Sequence, residues 1–198
     1  GEHRLSVWGF IQTRFSANAR RSEPGIDRWQ TGFSVQRTRL YLDYRGRQVS
    51  SRVRGTFGPS GDISLDQAYV DFRLPQDLRL RVGQFGLPLF QDEWVAATGQ
   101  LAVNGSVVNT VFGQGATQGV SLHVPRDRTR LWLSINDGTK AANTPALTNV
   151  DADFAATARF EYRLGEGDWA RFDDYTSFPG SPFAALLGVS AHFETGTQ

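Results

Sequence analysis

The chain has no cysteine, no methionine and a single lysine, Lys140, among its 21 basic residues. Without cysteine there is neither a disulfide framework nor a thiolate metal site. No apolar run approaches the roughly 18 residues of a membrane-spanning helix, and the mean hydropathy is -0.37. A helical membrane protein is therefore excluded. An opening "GEHRL" with no methionine reads as the start of a processed or trimmed chain whose export signal has gone. The scarcity of lysine is the most informative of these gaps. Solvated surfaces use lysine freely, whereas arginine is preferred where a planar fork must hold a carboxylate, phosphate or other anion, or must pair in a confined space. Nucleic acid is the routine partner for such a bias, but no basic block or RNP-like run supports it.

What the chain does have is period two. In "TRLYLDY" the apolar Leu40, Leu42 and Tyr44 alternate with Arg39, Tyr41 and Asp43; in "SRVRGTF" Val53, Gly55 and Phe57 alternate with Arg52, Arg54 and Thr56. Next, Ala68, Val70, Phe72 and Leu74 oppose Gln67, Tyr69, Asp71 and Arg73, and Leu78, Leu80 and Val82 oppose Arg79 and Arg81. Val120, Leu122 and Val124 follow, then Leu131, Leu133 and Ile135 against Arg130, Trp132 and Ser134. Phe154, Ala156, Ala158, Phe160 and Tyr162 then stand against Thr157, Arg159, Glu161 and Arg163. With "LSVWGFIQTRF" and "FAALLGVSAHF" at the ends, nine strands are expected in one all-β domain spanning residues 1–198.

Long links are expected at 17–31, 86–117 and 137–151, and a middling one at 58–63. "RGRQ", "PQD" and "PRDR" form tight turns, and only "GEGDWARFDDYTSFPGSP" breaks the alternation. Long connections on one side and short ones on the other suit a transmembrane antiparallel β-barrel of the outer-membrane type. A soluble β-sandwich also alternates, but its polar face mixes Lys, Glu, Ser and Thr. Here the polar face is biased to arginine. The apolar face carries Tyr44, Phe72 and Tyr162, each just before a short turn or a turn expected on the periplasmic side, where half of an interfacial aromatic girdle would lie.

"GFSVQRTRLYLDYRG", "LDQAYVDF", "LRLRVGQFGLPL", "LSINDG" and "ATARFEYRL" resemble, in order, segments of the phosphate-selective porins O and P. The resemblance implies a sixteen-stranded, homotrimeric outer-membrane channel of Gram-negative bacteria that passes anions such as phosphate, polyphosphate or chloride. Such a barrel takes about 400 residues and an even number of strands, so nine strands read as an N-terminal half that cannot close alone. The resemblance also makes 86–117 the constriction loop folded into the lumen. Its "GLPLF" and "GSVVNTVFG" pieces are apolar enough to pack on the wall, and Asp92 and Glu93 are its only charges. The family motif has a lysine where this chain has Gly86.

With apolar residues facing lipid, parity places Arg37, Arg39, Arg52, Arg54, Arg73, Arg79, Arg81, Arg130, Arg159 and Arg163 on the lumen side as an anion path. Only Asp43, Asp71 and Glu161 stand against them. Any one of these arginines could instead be a brace paired with an acid. His3, His123 and His192 have no metal spacing, and Asp92, Glu93, Asp173 and Asp174 have no calcium-loop spacing. They read as hydrogen-bonded or ion-paired groups, with no cofactor. No nucleophile elbow or phosphate loop is present, so no enzyme activity is expected. The alternatives are a soluble or surface β-sandwich binding module and a non-conducting outer-membrane barrel.

Overall fold

A computed structural model describes residues 3–23, 26–58, 61–95, 97–99, 106–143, 154–173 and 179–196. The strands are β1 (Arg4–Glu23), β2 (Ile26–Arg45), β3 (Val49–Phe57), β4 (Ile63–Arg73), β5 (Arg79–Gly86), β6 (Ala116–Pro125), β7 (Thr129–Asn136), β8 (Phe154–Gly165) and β9 (Ala184–Thr195). They form one antiparallel sheet in chain order, every neighbour joined by a hairpin, with β1 and β9 as its two edges. Two short helices, α1 (Gln91–Trp94) and α2 (Val107–Phe112), lie in the link between β5 and β6.

The two faces of this sheet invert the pattern of a soluble protein. Tyr41, Asp43, Asp71, Ser121, Trp132, Ser134, Thr157, Arg159, Glu161 and Arg163 are buried, while Val7, Leu40, Leu42, Val53, Val82, Val120, Leu133, Ile135 and Phe160 are exposed. The covered face is polar and the open face apolar. The protein exposes 13337 Å², where a self-contained globule of 22.0 kDa would expose about 9,300 Å².

One expected link is strand instead. Residues 17–23 and 26–31 continue β1 and β2, which pair from Arg4↔Arg45 to Glu23↔Ile26, so this strand pair reaches well beyond β3. The alternation persists there as Phe15, Ala17 and Thr31, Phe33, Val35, and the Phe15 and Phe33 rings meet at 5.0 Å.

Two bulges control which residues reach the polar face. In β2, Thr13 pairs with Val35 and Gln12 with Arg37, leaving Gln36 unopposed. The shift keeps Phe33 and Val35 on the same face as Leu40 and Leu42, although their numbers have opposite parity. In β4, Arg54 pairs with Gln67 and Gly55 with Leu65, so Asp66 is the extra residue and joins Gln67 on the polar face. At Gly83, φ is 126°, and a Cβ there would sit 2.3 Å from the Ala68 carbonyl oxygen, a tight approach that only glycine permits.

Candidate functional site

On the polar face, the arginines of β2–β5 occupy successive levels of the sheet. Arg73 pairs with Arg79 beside the β4–β5 turn, and one step up Asp71 pairs with Arg81. The next level sets Asp43 against Arg52 and Arg52 against Tyr69, then Tyr41 against Arg54, then Arg39 against Thr56. Arg37, opposite Gln12, is the top of the series. Two residues separate each level from the next, which is about 6.7 Å along a strand.

Most of these arginines are held by carboxylates. Arg52 forks onto Asp43 (Nε–Oδ1 2.7 Å, Nη2–Oδ2 3.0 Å), and Arg81 forks onto Asp71 in the same way (2.7 and 2.9 Å). Trp8 Nε1 also donates to Asp43 at 2.9 Å while its ring stacks on Tyr41 at 3.8 Å, and the Arg81 guanidinium lies 3.7 Å over Tyr69. Arg39 and Arg54 share Asp66 at 3.5 and 3.2 Å. Arg37, Arg73 and Arg79 have no hydrogen-bond or ion-pair partner among the described residues. The wall of β2–β5 thus sets these seven arginines against Asp43, Asp66 and Asp71.

Arg130, Arg159 and Arg163 differ from the rest. Glu161 is 0 % exposed and bound on both sides, by Arg130 (Nη2–Oε2 2.7 Å) and by Arg159 (Nε–Oε1 2.7 Å). Arg159 continues into the loop, donating from Nη1 to the Leu89 carbonyl at 2.7 Å and from Nη2 to Gln91 at 3.3 Å, and Ser190 Oγ donates to that same carbonyl. Arg163 reaches Asp127 in the β6–β7 turn at 3.3 Å and lies 5.5 Å from Trp169. Of the ten arginines expected on the path, Arg159 and Arg163 are buried, and Arg130 leans on Trp132 and Trp169.

The link after β5 lies on this polar face. Leu87, Pro88 and Val95 are buried, the Trp94 ring meets Trp132 edge-on at 4.6 Å, and Gln91 Nε2 donates to the Phe172 carbonyl at 2.8 Å. "GLPLF" therefore packs on the wall. "GSVVNTVFG" does not, since Val107 is 80 % exposed and Val108, Val111 and Phe112 are exposed with it. α2 is held by its end instead: Ser106 Oγ accepts from Asn109 N, and Asp92 accepts from both Ser106 N and Oγ.

Asp92 and Glu93 project into a cavity whose opposite wall carries Arg37, Arg39 and Arg54. Glu93 Oε1 accepts the Gly115 amide at 2.9 Å, and its Oε2 is buried without a partner. Burial holds the Glu93 carboxyl above the ordinary range, Asp92 adds to that shift, and the Gly115 and Gln114 amides oppose it. Glu93 thus accepts from loop amides, where an ion-pair role was expected. Asp174 lies outside the described residues.

Among the histidines, His3 bonds the Tyr44 hydroxyl at 2.7 Å, His192 sits between Thr157 (2.8 Å) and Glu194 (3.0 Å), and His123 stacks on Trp132 at 4.6 Å. Sequence reasoning missed Asp66 and Asp127. The signal for Asp66 was a charge at an apolar position of "LDQAYVDF", which is the mark of a bulge; no strand pattern governs a turn residue such as Asp127. Compared with models of known families the chain matches none, and no significant relative is found among curated proteins.

Proposed function

We propose that this chain forms wall and constriction of an outer-membrane β-barrel porin, a passive channel for small anions. The observation that carries the reading is the unbroken arginine series on the polar face of β2–β5, crossed at one height by a loop bearing Asp92 and Glu93. Six levels at about 6.7 Å span roughly 33 Å along the strands, and a tilt near 40° turns that into about 25 Å, the height of an outer-membrane apolar band. The open face suits lipid: it is apolar, with Tyr44, Phe72 and Tyr162 toward the short turns and Phe154 and Phe193 toward the other end.

Neighbouring arginine levels are closer than the Debye length of about 8 Å at physiological salt. An anion leaving one level already feels the next, so it is attracted into the path without deep trapping. At the loop, Arg37, Arg39 and Arg54 with Asp66 on the strand side face Asp92 and Glu93 on the loop, and the field runs across the opening. Anions keep to the β2–β3 side there. The resemblance to phosphate-selective porins adds sixteen strands, a trimeric assembly and a Gram-negative outer membrane to the same proposal.

Reversal potentials in planar bilayers under a KCl gradient test this reading. The expected result is preference for chloride over potassium at neutral pH. Preference for potassium, or insertion with no conductance, overturns it, and the second outcome would favour the structural barrel.

A further inference from the structure

We propose that the cavity between the β2–β3 wall and α1 binds a small zwitterion, a solute carrying both a carboxylate and an ammonium group, in preference to a simple anion of the same size. The inference rests on the channel reading above and names the solute class that the constriction favours. The cavity holds about 370 Å³, roughly a dozen water volumes at about 30 Å³ each, which suits a molecule of a few heavy atoms. Arg37, Arg39, Arg54 and Asp66 line one side of it, and Asp92 and Glu93 of α1 line the other. Three cations therefore share the space with three carboxylates. What a simple anion gains from the arginines it loses to the carboxylates, so this height of the path offers it little net attraction. A zwitterion lying across the opening gains at both ends, with its carboxylate toward the arginines and its ammonium toward α1.

The two sides do not neutralise each other. Among the described residues, no ion pair joins Arg37, Arg39 or Arg54 to Asp92 or Glu93. Arg39 and Arg54 reach Asp66 on their own side, at 3.5 and 3.2 Å, and Arg37 has no hydrogen-bond or ion-pair partner among the described residues. Across the opening, Asp92 Oδ2 accepts from Ser106 N and Oγ, and Glu93 Oε1 accepts from the Gly115 amide. These neutral donors fix both carboxylates without cancelling their charge, and a carboxylate has room for further donors. Glu93 Oε2 is buried with no donor at all, a cost that an entering N–H group would relieve. The guanidinium of Arg37 stands ready on the other side for the carboxylate of the same molecule.

The test compares how glycine, acetate and glycolamide interrupt chloride current through the protein in planar bilayers. The three are similar in size, but acetate carries only the anionic end and glycolamide no charge. Glycine should reduce the current at severalfold lower concentration than either of the others. Equal or weaker action by glycine in an anion-selective channel overturns the site and leaves the channel reading standing. Asp92→Asn with Glu93→Gln should erase the advantage of glycine over acetate; an advantage that survives overturns the site. Because Asp92 also holds Ser106, a second variant leaves the loop untouched. Gly86 lines the same cavity, and a Cβ there would meet only Gln67 Nε2, at an ordinary 3.7 Å. Gly86→Lys adds a fourth cation and should pass the advantage from glycine to acetate, whereas an unchanged ranking overturns the site. A cation-selective or silent protein overturns the channel reading, and the site is then decided by carbon-13 line broadening of labelled glycine on the purified protein in detergent. Broadening by the wild type that is lost in either variant supports the site; equal broadening by all three proteins, or none by any, overturns it.

Discussion

At the scale of single residues, two carboxylates define what the site can tolerate. Glu161 is fully enclosed between Arg130 and Arg159, so its charge compensates two nearly buried cations. Removing one partner from a buried ion pair leaves an uncompensated charge and costs about 3–5 kcal/mol. Glu161→Gln strands both arginines, whereas Arg159→Met leaves Glu161 with Arg130. The glutamine variant should therefore lose more stability than the methionine variant, read as the unfolding midpoint in urea with the protein in lipid. Equal losses would mean that the triad is not organised around the carboxylate. The second carboxylate, Glu93, makes stability depend on pH. Its carboxyl is held above the ordinary glutamate value of 4.5 by burial, so the folded state binds its proton more tightly than the unfolded chain does. Its contribution is most favourable below 4.5 and is lost as pH rises through the folded value. Glu93→Gln should raise the thermal midpoint at pH 7 and should cease to differ from wild type near pH 4. Protonating Glu93 also removes a negative charge from the constriction, so anion preference should rise over the same descent in pH. A midpoint difference that stays constant across this range would show that Glu93 is not ionised at the expense of the fold.

At the scale of elements, β3 supplies the middle of the arginine series and makes it testable. Arg52 and Arg54 stand on successive levels, one forked onto Asp43 and the other sharing Asp66 with Arg39. Arg52→Gln with Arg54→Gln keeps polarity and approximate size while removing two charges from the wall. Anion over cation permeability should fall severalfold, with a stability loss of about 1.5–3 kcal/mol for the charge-assisted bonds given up at Asp43. Unchanged permeability would make β3 a brace and not a path. The strands and the two faces were legible in period two alone, because an apolar face backing a polar one leaves the plainest alternation a sequence can carry. What was not legible has local causes. The bulges at Gln36 and Asp66 break parity without breaking the strand, so Asp66 was assigned to neither face. Residues 17–31 carry polar and small side chains that suit a loop or an exposed hairpin equally, and pairing with the other strand decided between them. Arg159 obeys parity and is still buried, because the Leu89 carbonyl and Gln91 close over it from a segment about 70 residues away. α2 shows the limit of apolarity as a guide: Val107, Val108, Val111 and Phe112 are all exposed, held by a helix cap and Asp92.

At the scale of the whole molecule, the exposed area exceeds that of a globule of equal mass and one face of the sheet leaves its apolar side chains uncovered, so the fold requires a surrounding that welcomes them. Lipid and a second packed layer make different demands on that face. In the middle of a bilayer, Val53→Arg should cost about 2–4 kcal/mol and reduce insertion into vesicles. Ile63→Arg lies on the same face but at the β3–β4 end, so its cost should approach zero as the residue nears the interface. Thr56→Arg, facing the polar side, should insert as the wild type does. A soluble sheet exposed to water on its apolar face predicts the reverse, since Val53 is 42 % exposed and an arginine there would relieve an oily patch. Insertion yield and unfolding in liposomes, compared across the three variants, separate the cases. A depth-dependent penalty at Val53 and Ile63 with none at Thr56 supports the membrane wall, while a gain in aqueous solubility at Val53 with no loss of stability would remove it and the channel with it.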